Sequence, residues 1–304
     1  MINDIQNRFR GCLLGLATGD AVGTAVEFRL RGSFAPVTDM IGGGPFSLEP
    51  GQWTDDTSMA LCLAESLIEK NGFDATDQMQ RYVRWWKEGH LSSNGRCFDI
   101  GGATRSALAS FTRTASPFSG STDPMSAGNG SLMRLSPIPM FYYPDLNKAI
   151  QYAGESSRTT HGVQECVDAC KLYAQMIVAA LDGEDKNDIL FSDKTAKMDL
   201  SPKIQAIADG EYKDKSEDDI RGSGYVVDSL EAALWCFHKT DSYRDAILKA
   251  VNLGDDADTT AAVCGQIAGA YYGESGIPSE WLNKLAMLAK ITEFADQLSN
   301  PPNS

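Results

Sequence analysis

One segment of the sequence reads Val251-Asn252-Leu253-Gly254-Asp255-Asp256-Ala257-Asp258-Thr259-Thr260. On one continuous helix Asp256 and Asp258 would point roughly 200° apart, because helical side chains meet only at spacings of three and four. They converge only if the chain turns, and Gly254 permits such a turn. A helix that then begins near Thr259 would place the carboxylates at its positive end. Because helix capping needs a single aspartate, this cluster favours a site for a hard cation.

A second acidic cluster, Trp53-Thr54-Asp55-Asp56-Thr57, precedes another apolar helical pattern. Thr54 or Asp55 can cap that helix, and the adjacent carboxylates again exceed what capping requires. The clusters together offer carboxylate and hydroxyl oxygens from Thr54, Asp55, Asp56, Asp256, Asp258 and Thr259. Neither cluster holds His or Cys, which disfavours zinc and favours Mg²⁺ or Mn²⁺. The number of carboxylates suits a dinuclear site.

The composition is that of an acidic globular protein, with 304 residues, a formal charge of −14 and 42% hydrophobic residues. No basic block offsets the acidic excess, so neither nucleic acid nor an anionic membrane is expected as a partner. The seven cysteines form no CxxC pair and are expected to be reduced core residues. We find no leader-like start and no stretch long enough to span a bilayer, and we expect a cytoplasmic protein.

Helical periodicity dominates the chain, and strand-like alternation is nearly absent. From Ile5 to about Val22 the apolar residues recur at helical spacing. Glycines fall every four residues along one stripe of this helix, at Gly11, Gly15, Gly19 and Gly23. Such a stripe lets another backbone approach closely, which predicts a tightly packed central helix. Residues 110–130 are rich in Ser, Thr and Gly and are expected to form a surface loop.

Other candidate functional residues lie in less specific settings. Glu27 has apolar neighbours, so burial could shift its pKa. Asp99 precedes a double glycine and is equally well explained as a helix cap. The glycine-rich residues 128–134 can direct backbone amides at a phosphate. His161 follows a threonine and could face a cleft, and Tyr225 could stack on a flat ring, although a core aromatic is the commoner outcome.

With both acidic clusters in this order, the sequence resembles the ADP-ribosylglycohydrolase family. Within it the resemblance is closest to the bacterial dinitrogenase reductase activating glycohydrolase type, and it spans the chain. The two acidic motifs are specific. The supporting stretches are residues 15–23 with Glu27, 98–101, 128–134, 160–161 and 224–227.

The resemblance implies one all-α domain over residues 1–304, a compact multi-helix orthogonal bundle with a central dinuclear metal cleft. Its two Mg²⁺ or Mn²⁺ ions would be bound by Thr54, Asp55, Asp56, Asp256, Asp258 and Thr259. Asp255 would then be a neighbour of the ligands or a capping residue. Asp99 matches the family's ribose-contacting carboxylate with an acid/base role, and Glu27 matches the acidic residue near the metals.

The resemblance also assigns an ADP-ribose pocket. Its walls would be formed by Gly101, Gly102, Asn129, Gly130, Ser131, His161 and Tyr225. Gly102 departs from the family pattern, because relatives of this type often carry an asparagine there that touches the ligand. One ligand contact of that pattern is therefore missing, which leaves the preferred linkage open.

The implied function is a metal-dependent hydrolase that removes ADP-ribose from modified protein side chains. The bond most in keeping with the resemblance is the N-glycosidic bond to arginine, with ADP-ribose as product. The same site would also suit serine-linked or O-acetyl-ADP-ribose, or a phosphoester. An alternative of another class is an immunity-type protein that neutralises an ADP-ribosylating toxin by binding it. Because a suitable ligand residue stands at each of the six metal-binding positions, the sequence favours a catalytic protein over a binding protein.

Overall fold

The computed structural model describes residues 4–191 and 198–300. Its helices in chain order are α1 Asp4–Gly23, α2 Asp55–Lys70, α3 Ala75–Glu88, α4 Gly102–Thr114, α5 Pro137–Tyr142, α6 Leu146–Arg158, α7 Gln164–Asp182, α8 Lys186–Phe191, α9 Pro202–Ala208, α10 Val226–His238, α11 Tyr243–Val251, α12 Ala257–Tyr272, α13 Ser279–Lys284 and α14 Leu288–Ser299. Extended segments within these ranges pair only as isolated bridges, such as Ser121 with His161. The prediction of an all-α fold is confirmed. No helix in the described ranges has the length and apolar character needed to cross a membrane.

Helices α1 and α12 pack against each other backbone to backbone at the centre of the fold. A Cβ atom built on a glycine of the α1 stripe would overlap a carbonyl oxygen of α12. The overlapping pairs are Gly11 with Gly269, Gly15 with Gly265 and Gly19 with Ala261. The pairs run in opposite directions along the two helices, so the packing is antiparallel. The prediction that the glycine stripe admits a second backbone is therefore confirmed.

This antiparallel arrangement brings the end of α1 to the beginning of α12. Gly23 lies against the backbone of Asp258, at the first turn of α12. Near the same end of α1, Asp20 is fully buried and accepts hydrogen bonds from the backbone amides of Thr54 (2.9 Å) and Thr57 (3.1 Å). These two residues lie at the beginning of α2. The end of α1 thus holds the first turns of both helices that carry the acidic clusters.

Two boundaries differ from the sequence prediction. Helix α12 begins at Ala257 rather than near Thr259, with Asp256 as the residue before it. Residues 110–114 belong to α4 rather than to the expected surface loop, because Leu108 and Phe111 pack into the core and keep this turn helical. Gly254 has a φ of +72° and makes the predicted turn. All seven cysteines are free, as expected.

We expect Gly15→Ala to destabilise the protein, because the new methyl group would force α1 and α12 apart. The free energy of unfolding should fall by about 1–3 kcal/mol, the usual cost of overpacking a core. Denaturant unfolding followed by circular dichroism would measure it. The control is Gly102→Ala, since a Cβ at Gly102 meets nothing within 4 Å. Equal stability of the two variants would contradict the assignment of the stripe.

Candidate active site

Glu27 is fixed at the beginning of α12 by backbone hydrogen bonds. It follows the short 3₁₀ turn Thr24–Val26 that ends α1, and it is 3% exposed. Its Oε2 accepts from the amides of Ala257 (2.8 Å) and Asp258 (3.2 Å). Asp256 precedes α12 but makes no side-chain cap, so Glu27 provides the cap from a distant part of the chain. Glu27 therefore sits among the carboxylates of the first acidic cluster.

Carboxylate oxygens of Glu27, Asp256 and Asp258 converge at this point. One oxygen from each lies within 4.8 Å of the other two. The Nδ2 of Asn129 donates to Asp256 Oδ2 at 2.8 Å, which orients that carboxylate. Asp55, from the first turn of α2, lines the same cavity. The structure thus brings the two acidic clusters together, as their shared chemistry predicts.

Two oxygens of the acidic clusters are buried without a hydrogen-bond partner. They are Asp56 Oδ1 and Asp258 Oδ2. The other oxygen of Asp56 accepts from the hydroxyls of Thr54 (3.3 Å) and Thr259 (3.4 Å), which links the two clusters directly. Burying a carboxylate oxygen without a partner costs free energy. A divalent cation such as Mg²⁺ would be a suitable partner, because it prefers oxygen ligands. These two oxygens therefore fit a divalent cation that is bound by oxygen ligands.

The raised pKa values of the carboxyl groups also indicate that a nearby positive charge would stabilise the cluster. Burial, and next the charge of Asp256, raise the pKa of Glu27 to about 8. Burial and the neighbouring aspartates raise the pKa of Asp99 to about 7. The pKa values of Asp55, Asp56 and Asp258 also lie well above the usual range, first because of burial and then because of neighbouring acidic groups. Without a cation, Glu27 therefore keeps its proton at neutral pH.

A cavity of about 490 Å³ opens beside the carboxylates. The predicted substrate residues in its wall are Gly101, Gly102, Asn129, Gly130 and His161, together with the predicted catalytic residues Glu27 and Asp99. Asp99 adopts a φ of +61°, which is uncommon for a residue with a side chain. It lies two residues before the cap of α4, so its side chain is not the N-cap that the alternative interpretation required.

Two predicted pocket residues lie outside this cavity wall. Ser131 is buried behind it, where its hydroxyl accepts from Ser157 at 2.9 Å. Tyr225 lines a neighbouring groove of about 1210 Å³, which shares Gly102 and Gly224 with the cavity. Tyr225 donates its hydroxyl to Glu165 at 2.6 Å. A ligand that reaches Tyr225 must therefore extend from the cavity into the groove.

His161 forms a neutral part of the wall. Its Nδ1 shares a hydrogen bond of 2.9 Å with the hydroxyl of Thr160, and its ring lies against Gly130. Burial, together with the charge of Arg134, lowers the pKa of His161 to about 3. The ring is therefore uncharged at neutral pH, and its role is to shape the wall beside Gly130 rather than to carry a charge.

Sequence reasoning missed two aromatic residues in the cavity wall and the structural role of Asp20. Phe28 and Phe46 line the cavity next to the carboxylates, and Phe28 is 66% exposed. Helical periodicity does not identify aromatic residues that lie in loops. The only hint was that Phe28 directly follows Glu27. Asp20 was visible as a polar residue in a glycine-rich helix, but its partners Thr54 and Thr57 are distant in sequence.

The family model for ADP-ribosylglycohydrolases matches residues 1–303. The chain belongs to the ADP-ribosylglycohydrolase family. The ADP-ribosylarginine hydrolase Tri1 of Pseudomonas putida (strain GB-1) is 48% identical over 96% of this chain and 78% of its own length. The ADP-ribosyl-dinitrogen reductase glycohydrolase of Rhodospirillum rubrum is 31% identical over 93% of this chain and 92% of its own. The resemblance inferred from the two acidic motifs is thus confirmed.

The fold is shared with a solved structure of this family. A structure described as an ADP-ribosylglycohydrolase-related protein complex superimposes with a TM-score of 0.85 at 41% identity. The superposition covers 97% of this chain and 98% of the other. The helices that position the cavity therefore belong to an arrangement that the family shares.

We expect the metal-free protein to lose stability as the pH rises from about 5 to 9. The folded pKa values of Glu27 (about 8) and Asp99 (about 7) lie above the ordinary carboxyl range. Their contribution to stability is therefore fully present at acid pH and is lost as the pH rises through these values. Added Mg²⁺ or Mn²⁺ should reverse the loss, by about 2.7 kcal/mol at a hundredfold excess over its Kd.

Thermal unfolding in chelator and in each metal, across this pH range, would measure both effects. Asp258→Asn should abolish most of the stabilisation by metal. The control is Asp218→Asn, since Asp218 is exposed and is not part of the cavity lining. The assignment of a metal site would be contradicted if the melting temperature in chelator rose with pH, or if neither metal changed it.

Proposed function

We propose that this protein is a metal-dependent ADP-ribosylarginine hydrolase. It would cleave the N-glycosidic bond between the ribose C1 and a guanidino nitrogen of arginine in a modified protein, and release ADP-ribose. The observation that carries the proposal is the group of carboxylates in and behind the cavity wall, two of which, Asp56 and Asp258, have a buried oxygen without a hydrogen-bond partner. The arginine linkage is supported by the name of the similar hydrolase Tri1.

The metal ligands would be Thr54, Asp55, Asp56, Asp256, Asp258 and Thr259, holding two Mg²⁺ or Mn²⁺ ions. When bound, the ions would supply positive charge that binds the ribose hydroxyls and makes water a better nucleophile. Hydrogen bonds prepare these ligands, since Asn129 orients Asp256 and the hydroxyls of Thr54 and Thr259 both contact Asp56. This support from neighbouring groups is typical of metal sites.

The carboxylates in the wall suit the chemistry of the glycosidic bond. As the bond from C1 to nitrogen breaks, positive charge develops on the ribose, and nearby carboxylates stabilise it. The leaving nitrogen must gain a proton, and the attacking water must lose one. Asp99, with a pKa raised to about 7, can hold and donate a proton near neutral pH. The Oε2 of Glu27 is engaged by two amides. With divalent cations bound beside it, Glu27 would be ionised and would accept the proton that the attacking water loses.

The rest of the ligand would extend along the walls already described. Gly101 and Gly102 leave room for the ribose and diphosphate, because even a Cβ atom at either position would meet nothing within 4 Å. Arg105 also lines the cavity and offers positive charge for a phosphate. The adenine would reach the neighbouring groove and stack on Tyr225, while Ser131 supports Gly130 from behind.

We expect Asp256→Asn and Asp99→Asn each to lower the release of ADP-ribose from an arginine-modified protein by about 10²–10⁴-fold, the range of general acid–base and metal-ligand losses. Asp256→Asn should also lose the response to Mg²⁺ or Mn²⁺, whereas Asp99→Asn should keep it. Single-turnover assays with a radiolabelled protein, in chelator or in each metal, would measure both. The control variant is again Asp218→Asn.

The same assay distinguishes arginine-linked from serine-linked ADP-ribose, and a hydrolase from a protein that neutralises a toxin by binding it. A serine-modified protein run in parallel should lose its label much more slowly. Loss of label from neither substrate would contradict the proposal, as would release of phosphate in place of ADP-ribose. Full activity of Asp256→Asn would contradict the metal assignment. Protection against an ADP-ribosylating toxin that survives Asp256→Asn would favour neutralisation by binding.

A further inference from the structure

Three aromatic side chains form a row, and two of them, Phe28 and Phe46, line the cavity. Phe28 meets Phe46 edge to face, with ring centroids 6.3 Å apart and the planes at 75°. Phe46 in turn lies 5.3 Å from Phe98, at 54°. We refer to Phe28, Phe46 and Phe98 as the aromatic row. Their contacts are those of mutually stabilising aromatic pairs, so the rings support one another's positions.

The row connects the two predicted catalytic carboxylates. Phe28 directly follows Glu27, and Phe98 directly precedes Asp99. Phe28 and Phe46 both line the cavity in which these carboxylates lie. The row therefore borders the side of the cavity where the bond is broken, and it lies apart from the groove that contains Tyr225.

The position of Phe28 is not explained by the packing of the fold. Its side chain is 66% exposed, so it contributes little to the core. Its backbone has a φ of +62°, a region that residues with a Cβ rarely adopt. Two hydrogen bonds hold it there, from the amide of Phe28 to the carbonyl of Asp255 and from the amide of Asp255 to the carbonyl of Arg29, both 2.8 Å. The loop is thus tied to the acidic cluster with an aromatic ring presented to solvent.

A ring beside carboxylates is a suitable site for a guanidinium group. Guanidinium is flat, always charged and weakly hydrated, and it stacks on aromatic faces while its N–H groups reach carboxylates. Asp99 and Asp55 lie in the same cavity wall as Phe28 and Phe46. A serine side chain is neutral and has no planar group, so the row would give it no comparable binding energy.

We propose that Phe28 and Phe46 form the leaving-group subsite, in which the guanidinium of the modified arginine stacks on the rings beside Asp99. The row thereby favours arginine-linked over serine-linked ADP-ribose. This inference rests on the proposed hydrolase function and names the feature that selects its substrate. Phe98 supports Phe46 and does not touch the substrate.

The test compares ligands with and without a guanidinium. We expect Phe28→Leu, which keeps apolar bulk but removes the ring, to lower kcat/KM for an ADP-ribosylarginine peptide about threefold to thirtyfold, the range for a lost cation–π contact. Phe28→Tyr should restore it. The Kd of free ADP-ribose, measured by calorimetry, should change less than about twofold, because ADP-ribose has no leaving group to stack.

Phe118→Leu is the matched control. Phe118 is also an exposed aromatic, at 41%, with the guanidinium of Arg158 4.8 Å from its ring, but it lies outside the lining of both the cavity and the groove. It should keep full kcat/KM. Thermal unfolding of every variant would verify that the fold is retained.

The outcomes separate this inference from the function on which it rests. If the unaltered protein releases no ADP-ribose from the arginine peptide, the proposed function fails. If it does release ADP-ribose and Phe28→Leu retains its kcat/KM, the leaving-group subsite is overturned while the function stands. An equal loss of affinity for free ADP-ribose would also overturn it, because the ring would then contact the part of the substrate that is not the leaving group.

Discussion

The backbone contact between α1 and α12 determines where the acidic groups of the site lie. Gly15 and Gly265 bring the two helix axes close enough for main-chain atoms to touch. At wider spacing, Glu27 could not reach the amides at the beginning of α12. Through Asp20 the same helix holds the beginning of α2. Two clusters from opposite ends of the chain thus meet because one helix contacts both.

The favourable interaction with the N-termini of α2 and α12 is too small to offset the cost of ionising the buried carboxyl groups. A carboxylate at a helix N-terminus gains roughly 0.3–1 kcal/mol, and up to about 2 in partly buried sites. The rise of the Glu27 pKa from its ordinary 4.5 to about 8 corresponds to on the order of 5 kcal/mol against the charged form. Burial and mutual repulsion therefore exceed the help from α2 and α12. A bound divalent cation would offset this difference, so the stability of the site would depend on its proposed cofactor.

Local patterns in the sequence predict much of this arrangement, and contacts between distant residues account for the rest. The glycine stripe and the two acidic motifs are readable because each has a fixed spacing within one element. The roles of Asp20 and Ser131 cannot be read from the sequence in this way. The partner of Asp20, Thr54, lies 34 residues away, and the partner of Ser131, Ser157, lies 26 residues away. Phe28 is harder still, because an exposed aromatic in a loop leaves no periodic signal and its position depends on hydrogen bonds to residue 255.

The walls of the cavity suit the two ends of the proposed substrate in different ways. On the side of the groove, glycines and Tyr225 leave space for a large, flat and anionic nucleotide. On the side of Phe28, carboxylates and the rings of Phe28 and Phe46 suit a flat cation on a protein. The glycosidic bond would lie between them, next to Asp99. The proposed substrate would thus place its anionic nucleotide away from the carboxylates and its cationic leaving group beside them, which reconciles an anionic ligand with an acidic protein.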